Sequence, residues 1–313
     1  MLQLTYIYNH FSKLDINLKP LQLMKPDSIH FPISNNYIPR TIYNKMTSLN
    51  NSIHFNFTSN SITFNVYVYY IKNYNIKHIL ENIYITLSFL SNFSINPSNN
   101  EVTLYYYLLN HKKVYKKPLS SLEVNSGMYF SNKRTIYIWR LEEIIKVTIH
   151  EILHFLDKNL YKKDLLLSHY NQKYNLKNEN ININEAYIDF WAIIINSYIN
   201  SITTSNTLES FTKNIKEEIK FIRYQCNKVL HMNVMNLNKY THVFSYYILK
   251  YELFNNIDIL LKYCITNNIN LIHITNLDTY INLITRFKKI KKYKLSIKNK
   301  FYRTMRMSII DVV

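Results

Sequence analysis

Apolar and polar residues alternate from Ser52 to Ile71, in the segment SIHFNFTSNSITFNVYVYYI. A period of two is typical of half-buried strands, and the polar run 58–60 in the middle of the segment indicates a turn. The segment therefore predicts a hairpin or two neighbouring strands. Residues 1 to about 50 show little periodicity and contain four prolines, so we predict an irregular N-terminal extension there.

Further along the chain, strand-like patterns give way to helical ones. We predict a helix from Tyr74 to Phe93, a strand from Thr103 to Val114, and a short strand from Thr135 to Trp139 that leads into an apolar helix ending near residue 157. Beyond this point the pattern is helical, with a polar loop around 170–184 and helices near 185–199, 207–232, 239–264 and 276–294. This order predicts an α+β fold with its sheet in the N-terminal half.

The composition adds two structural expectations. Glycine occurs once, at Gly127, so this position is predicted to need either a positive φ or a close backbone approach, and asparagines are expected to serve at turns. The two cysteines, Cys226 and Cys264, form neither a CxxC motif nor a disulfide-dense pattern. Because the sequence also shows no signal-peptide pattern and no long apolar run, we predict an intracellular protein in a reducing compartment.

The charge is unevenly distributed. The formal net charge is +18, and ten of the basic residues lie between Arg286 and Arg306, where no acidic residue occurs. We call residues 286–306 the basic strip. Such a cluster suits weak contacts with nucleic acid, an anionic surface or an acidic partner. A solvated helix or tail is the simpler interpretation of the same residues.

The predicted apolar helix contains the pentapeptide HEILH, from His150 to His154. The four-residue spacing places both imidazoles on one helix face, where they can bind one Zn2+ ion. Glu151 can then take a proton from metal-bound water and relay it to the leaving amine. The motif predicts a zinc hydrolase that cleaves amide bonds. A chance match with two buried core histidines is the alternative.

A catalytic zinc needs a third protein ligand, and the run NEAYIDFWA, which begins at Asn184, offers Glu185. Asp189 lies one helical turn after Glu185, so we predict that it accepts the free ring N–H of a ligand histidine. Asp157, His169 and Asp189 itself are competing third ligands. Two solvated acids at the start of an amphipathic helix are the simplest alternative.

These two motifs resemble the gluzincin pattern of zinc peptidases, in which HExxH is completed by a glutamate on a later helix and an aspartate four residues beyond it. The runs VNSGMYF, TIYIWRLEEIIKVTIHEILHFLD, NEAYIDFWA and THVFSYYILK are also similar to an uncharacterised family of metallopeptidase-like proteins of large DNA viruses, including insect viruses. The likeness spans about 101–250 and the run FYRTMRMS near the end. It is absent over the first fifty residues.

The resemblance implies a zincin-like fold and a Zn2+ cofactor, with His150, His154 and Glu185 as ligands. It also implies that Glu151 acts as general base and acid and that Asp189 supports the ligands from behind. The resemblance to this family does not indicate a substrate. One departure from the gluzincin pattern is Asp157, three residues after His154, which could orient His150 or simply end the helix.

Peptidases of this type also need a donor for the oxyanion that develops at the attacked carbonyl. The run THVFSYY offers His242, Tyr246 and Tyr247 for this role, although tyrosines that serve only in packing are expected in a chain with 29 of them. The short strand from Thr135 to Trp139 is expected to be an edge strand that can pair with an extended substrate.

From these patterns we predict three regions. They are an N-terminal extension over 1–50, a zincin upper subdomain with the sheet and the HExxH helix over 51–160, and a helical lower subdomain with the glutamate ligand and the basic strip over 161–313. The predicted function is a zinc metallopeptidase of host cytoplasm or virion, not secreted, with a peptide or protein substrate and no transmembrane segment. A metal-stabilised binding protein that uses the basic strip, and a hydrolase of non-peptide amides, are the alternatives.

Overall fold

The structure is a computed structural model. It describes residues 2–16, 18–26, 28–32, 37–71, 75–95, 100–116, 119–156, 163–176, 181–232 and 241–311. Its elements in chain order are α1 Leu2–Phe11, α2 Arg40–Met46, β1 Asn51–Ser59, β2 Ile62–Tyr70, α3 Ile76–Ser91, β3 Asn100–Tyr107, α4 Ser121–Val124, β4 Gly127–Phe130, β5 Thr135–Ile138, α5 Ile144–Leu156, α6 Lys163–Tyr174, α7 Ile183–Thr204, α8 Leu208–Leu230, a π-helix Phe244–Leu249, α9 Lys250–Asn255, α10 Ile257–Asn267, β6 Asn268–Ile269, β7 His273–Ile274 and α11 Leu277–Thr285.

The chain divides into two compact units. The sheet unit comprises Ser12–Lys113, Asn125–Leu156 and Asp311–Val313. The helical unit comprises Met1–Phe11, Val114–Val124 and Asp157–Ile310. The protein is thus of mixed α and β structure, with one five-stranded mixed sheet. None of the described helices is both long enough and apolar enough to span a membrane.

The sheet has the strand order β1-β2-β3-β5-β4. The predicted hairpin is confirmed, because β1 and β2 are antiparallel and pair Asn51 with Tyr70 at one end and Ser59 with Ile62 at the other. Both turn residues, Asn60 and Ser61, have positive φ. Asparagine also occupies positive-φ turn positions at 175, 206 and 270, as expected for a chain nearly devoid of glycine.

Strand β3 runs parallel to β2 and to β5, while β4 pairs antiparallel with the far side of β5. The expectation that Thr135 to Trp139 forms an edge strand is therefore wrong, since β5 is paired on both sides. The edge strand on this side of the sheet is β4, which begins at Gly127. A four-residue strand that starts with glycine carries too short a pattern to be recognised from sequence alone.

Several stretches differ from the sequence-based expectations, and in two of them tertiary contacts are the reason. The first fifty residues include α1, whose buried Leu4, Ile7 and Phe11 lie on one face that packs in the helical unit against α8 and α10. The helix predicted to reach residue 294 ends at Thr285. Beyond it, the side chain of Lys173 donates to the Phe287 carbonyl at 2.6 Å, so backbone groups there bond to other elements.

Candidate metal centre

Helix α5, which carries HEILH, is packed firmly within the sheet unit. All of its side chains from Ile144 to Leu156 are buried except that of His154, which is half-buried. The Thr148 hydroxyl donates to the Ile144 carbonyl at 2.9 Å and lies 3.1 Å from the hydroxyl of Tyr106 on β3. Apolar packing and this buried contact fix the rotation of the helix and therefore the direction of its histidines.

The two histidines meet at their Nε2 atoms. His150 Nε2 lies 3.2 Å from His154 Nε2, and the two rings are inclined by 74°. Two Zn–N bonds of about 2.0–2.1 Å at a tetrahedral angle would separate the nitrogens by about 3.3 Å. The spacing thus fits two ligands of one tetrahedral ion. A direct N–H···N hydrogen bond between the rings is the competing interpretation.

Gly127 lies against Glu151, the residue between the two histidine positions that is expected to handle the proton. A Cβ atom at Gly127 would lie 2.9 Å from Glu151 Oε1 and 2.6 Å from Val147 Cγ1, closer than such atoms can pack. Gly127, the single glycine of the sequence, does not have a positive φ. Of the two predicted reasons for a glycine here, a positive φ and a close approach, the close approach is correct. The groups that approach Gly127 include the Glu151 carboxylate of the motif.

A buried ionic cluster anchors the start of α5. Glu143 precedes the helix with a φ of 62°, and its carboxylate lies 2.9 Å from Lys113 Nζ, both side chains being almost fully buried. Burial lowers the pKa of Lys113, and the Glu143 charge opposes that shift. Arg140, also buried, donates from Nε to the Asn125 carbonyl and from a terminal nitrogen to that of His111. These contacts tie the beginning of α5 to the strands and loops beneath it.

In the helical unit, Glu185 occupies the first turn of α7. The side chain of Asn182 caps this helix by accepting from the Asn184 amide at 3.0 Å, and the Asn182 amide donates to Ser245 Oγ at 3.0 Å. The Tyr246 hydroxyl donates to Glu185 Oε2 at 2.9 Å. Tyr246, predicted as an oxyanion donor, therefore contacts the carboxylate of the predicted third ligand, and it holds one of the two oxygens.

Asp189, one turn further along α7, is fully buried. Its Oδ2 accepts from Lys250 Nζ at 2.6 Å, and the same ammonium donates to the Met307 carbonyl at 2.9 Å. Lys250 was not among the residues predicted from the sequence, although it is the lone cation in the apolar run VFSYYILKYELF. That isolation in an apolar helix was the available signal, since a buried ammonium needs a buried acid.

The remaining candidates have separate surroundings. The backbone carbonyl of His242 accepts from the Tyr246 amide at 2.9 Å, and the two rings meet edge to face. The buried Tyr247 donates to the Met305 carbonyl at 2.6 Å, which is a packing role. His169, on α6, has a pKa lowered by burial and by the charge of Lys173. Asp157 lies outside the described residues.

The chain is similar to an uncharacterized protein of Acanthamoeba polyphaga mimivirus, with 27% identity over 246 residues. The match covers 71% of this chain and 60% of the mimivirus protein, so the chain spans about three fifths of its relative's length. No protein-family model matches the chain. No solved structure matches it. The comparison supports a relationship to a viral protein and carries no activity with it.

Proposed function

We propose that the protein is a zinc-dependent metallopeptidase with a zincin-like arrangement of its sheet, its HExxH helix and its glutamate helix. The observation that carries this proposal is the 3.2 Å separation of His150 Nε2 and His154 Nε2, which fits the two-histidine half of a tetrahedral zinc site. The similarity to a mimivirus protein supports a viral protein. We further propose that it acts in host cytoplasm or in the virion.

His150, His154 and Glu185 would hold the ion. Within the described residues they are the set of three His, Cys, Asp or Glu side chains suited to one metal ion, whereas the competing candidates His169 and Asp189 are not part of it. The hydroxyl of Tyr246 donates to Glu185 Oε2, and this bond would orient the carboxylate that we propose as the third ligand. Three protein ligands leave a fourth position for water, as a catalytic zinc requires.

When bound, zinc lowers the pKa of its water and polarises the substrate carbonyl. Glu151 would accept the proton of that water and pass it to the leaving amine. The backbone of β4 at Gly127 fixes where the Glu151 carboxylate can lie, because the space on that side is filled. His242 and Tyr246 are the candidate donors to the oxyanion, and Asp189 stays the predicted acceptor of a histidine ring N–H.

The substrate would lie along β4. This strand forms one edge of the sheet, and it begins at the glycine that lies against Glu151. An extended peptide that pairs with an edge strand gains backbone hydrogen bonds without regard to its sequence. A peptide chain is therefore a better fit to this edge than a small amide, which has no backbone to pair.

The proposal is tested by metal content and cleavage measured on the same preparations. We expect about one zinc per chain by elemental analysis, and cleavage of a mixed peptide library detected by mass spectrometry. Glu185→Ala should lower the zinc content, whereas Glu209→Ala, which removes an exposed acid at the start of α8, should leave it unchanged. Glu151→Gln should keep its zinc and lose about 100-fold to 10,000-fold in kcat.

Three outcomes would contradict the proposal. A wild-type chain without zinc would leave the histidine pair as a simple hydrogen bond. Zinc content that is unaffected by Glu185→Ala would move the third ligand to another residue. Zinc bound in full with no cleavage of any library peptide would show a metal-stabilised protein that is not a peptidase.

A further inference from the structure

The basic strip is displayed at the surface of the helical unit. Nine of its ten cationic side chains are exposed, and the tenth, Arg306, is half-buried. Among the described residues, none of the seven lysines of the strip forms an ion pair with an acidic side chain. The exposed set is Arg286, Lys288, Lys289, Lys291, Lys292, Lys294, Lys298, Lys300 and Arg303.

The backbone of the strip is fixed even though it forms no helix or strand between residues 286 and 303. The Asn227 side chain on α8 accepts from the Tyr293 amide and donates to the Tyr293 carbonyl, both at 3.0 Å. Tyr224 donates to the Ser296 carbonyl at 2.6 Å, and Tyr174 accepts from the Ile290 amide at 3.1 Å. Side chains of α6 and α8 thus hold the strip at intervals of about three residues.

Lys228 completes the anchorage at the far end. Its ammonium is nearly fully buried and donates to the carbonyls of Phe301, Tyr302 and Thr304. Most of the hydrogen bonds that hold the strip are made by its backbone, and its seven lysine side chains are exposed. A solvated tail would not need such anchors, so the structure argues against the simpler interpretation of these residues.

Helix α8 extends the positive surface. Lys213, Lys216, Lys220 and Arg223 are exposed and recur at the spacing of one helix face. The pKa of the exposed Glu217 is lowered, first by its hydrogen bond from Lys220 and also by the charges of Lys213 and Lys300. Lys300 of the strip and the lysines of α8 therefore lower the pKa of the same carboxyl group, that of Glu217. The strip and the exposed face of α8 form one positive surface.

We propose that the basic strip and the exposed face of α8 bind the phosphate backbone of nucleic acid without sequence preference. Many separate cations on a fixed backbone suit a polymer with one charge per nucleotide. Tyr293, which is partly exposed and has the Arg223 guanidinium 5.1 Å from its ring centre, offers a surface on which a base can stack. A membrane is a poorer fit, because the strip contains no amphipathic helix, and Ile297 is its one strongly exposed aliphatic side chain.

The test uses the full-length protein and fluorescence anisotropy of a labelled 20-nucleotide DNA, single-stranded and as a duplex, from 50 to 200 mM KCl. We expect the combined variant Lys288→Ala, Lys291→Ala, Lys292→Ala and Lys294→Ala to weaken binding at least tenfold at the lowest salt. The slope of log K against log salt should become shallower by about 3. Equal melting temperatures of variant and wild type would establish that the variant is folded.

The matched control removes four exposed lysines from the sheet unit, Lys25→Ala, Lys77→Ala, Lys112→Ala and Lys133→Ala, and so changes the net charge by the same amount. Its binding should stay within about twofold of wild type. Equal losses in the two variants, no DNA binding by the wild type at 50 mM KCl, or binding to phosphatidylserine vesicles in place of DNA would overturn the proposal. Binding should persist in Glu151→Gln and after zinc chelation, so it is tested independently of the peptidase.

Discussion

The histidine-bearing helix and the glutamate-bearing helix are supported in opposite ways. In the sheet unit, an ionic pair of Glu143 and Lys113 anchors the start of α5, but the turns that carry the motif are fixed by burial, and the Glu151 carboxylate lies against the backbone at Gly127. In the helical unit, the acids of α7 are held by polar partners, with Tyr246 on Glu185 and Lys250 on Asp189. The residues of the motif are therefore positioned mainly by close packing, whereas the acids of α7 are positioned mainly by hydrogen bonds and, at Asp189, by a buried ion pair.

This difference predicts how each half fails. Packing tolerates changes of charge nearby but not added volume, whereas a buried polar network tolerates small changes of volume but not the loss of one partner. In the helical unit, variants that remove a fully buried polar partner should therefore lower the free energy of unfolding strongly. Beside α5, variants that add a single methyl group should lower kcat strongly.

The largest effect is expected for Lys250→Met. The substitution keeps the length of the side chain but leaves the buried Asp189 carboxylate without its cation, and the Met307 carbonyl without its donor. Losing one member of a buried ion pair costs about 3–5 kcal/mol, so we expect that decrease in the free energy of unfolding measured with urea. Lys262→Met, at an exposed position on α10, is the control and should change it by less than about 0.5 kcal/mol.

The double variant Asp189→Asn with Lys250→Met sharpens this comparison. It removes both charges, so much of the stability lost in the single variant should return. If the double variant lost as much free energy of unfolding as the two single variants lose together, the two charges would not be coupled. The ion pair would then not explain the stability of α7.

Gly127→Ala tests the opposite half. The glycine has no positive φ, so alanine suits its backbone, and the effect should come from the new Cβ pressing on Val147 and Glu151. We expect kcat to fall between about tenfold and 100-fold, with zinc content unchanged, because a misplaced general base costs rate and not metal. Ser126→Ala, one residue earlier, adds no atom and should leave kcat unchanged.

Tyr246→Phe should act mainly on the metal, because Glu185 is only half-buried and loses less stability with its partner than the fully buried Asp189 does. Without the hydroxyl, Glu185 loses the bond that holds its Oε2, so zinc affinity should fall by about 10-fold to 100-fold in competition with a chelator. The control is Tyr251→Phe, which removes a hydroxyl within 3.5 Å of Asn255 on α9. Unchanged zinc affinity in Tyr246→Phe would leave the tyrosine to the oxyanion role first predicted for it.

The smallest effect concerns pH. Burial lowers the pKa of Lys228 to about 7 from an ordinary value of 10.5. Between these values the unfolded chain binds more protons than the folded chain, so the free energy of unfolding should rise with pH. We expect this group to add at most about 2 kcal/mol between pH 7 and 9. In Lys228→Met this increase with pH should vanish. If the free energy of unfolding rose equally with pH in variant and wild type, the lowered pKa of Lys228 would not be its cause.

The sequence was sufficient where a local pattern determines the structure. The β1–β2 hairpin, the helix around HEILH and the helix around NEAYID all follow from periodicity, and their positions agree closely with the prediction. The partners of the motif residues did not follow. Lys250 reaches Asp189 across 61 residues of chain, and Tyr246 reaches Glu185 across the same number, distances over which no local pattern operates.

The edge strand shows the same limit at the level of topology. β5 was correctly identified as a strand, but its neighbours depend on whether a second short strand pairs with its far side. The sequence of β4 is four residues long, too short for a period-two pattern to be decisive. Which strand lies at an edge is a property of the whole sheet and not of either segment.

Glu218 of α8 has a consequence for how the chain is made. Its buried carboxylate accepts from the Ser308 hydroxyl and from the amides of Ile309 and Ile310, about ninety residues later. Burial raises the pKa of this carboxyl, and these bonds oppose the rise. During synthesis α8 therefore emerges from the ribosome long before the groups that satisfy its acid, and the helical unit can complete its packing only after translation has passed residue 310.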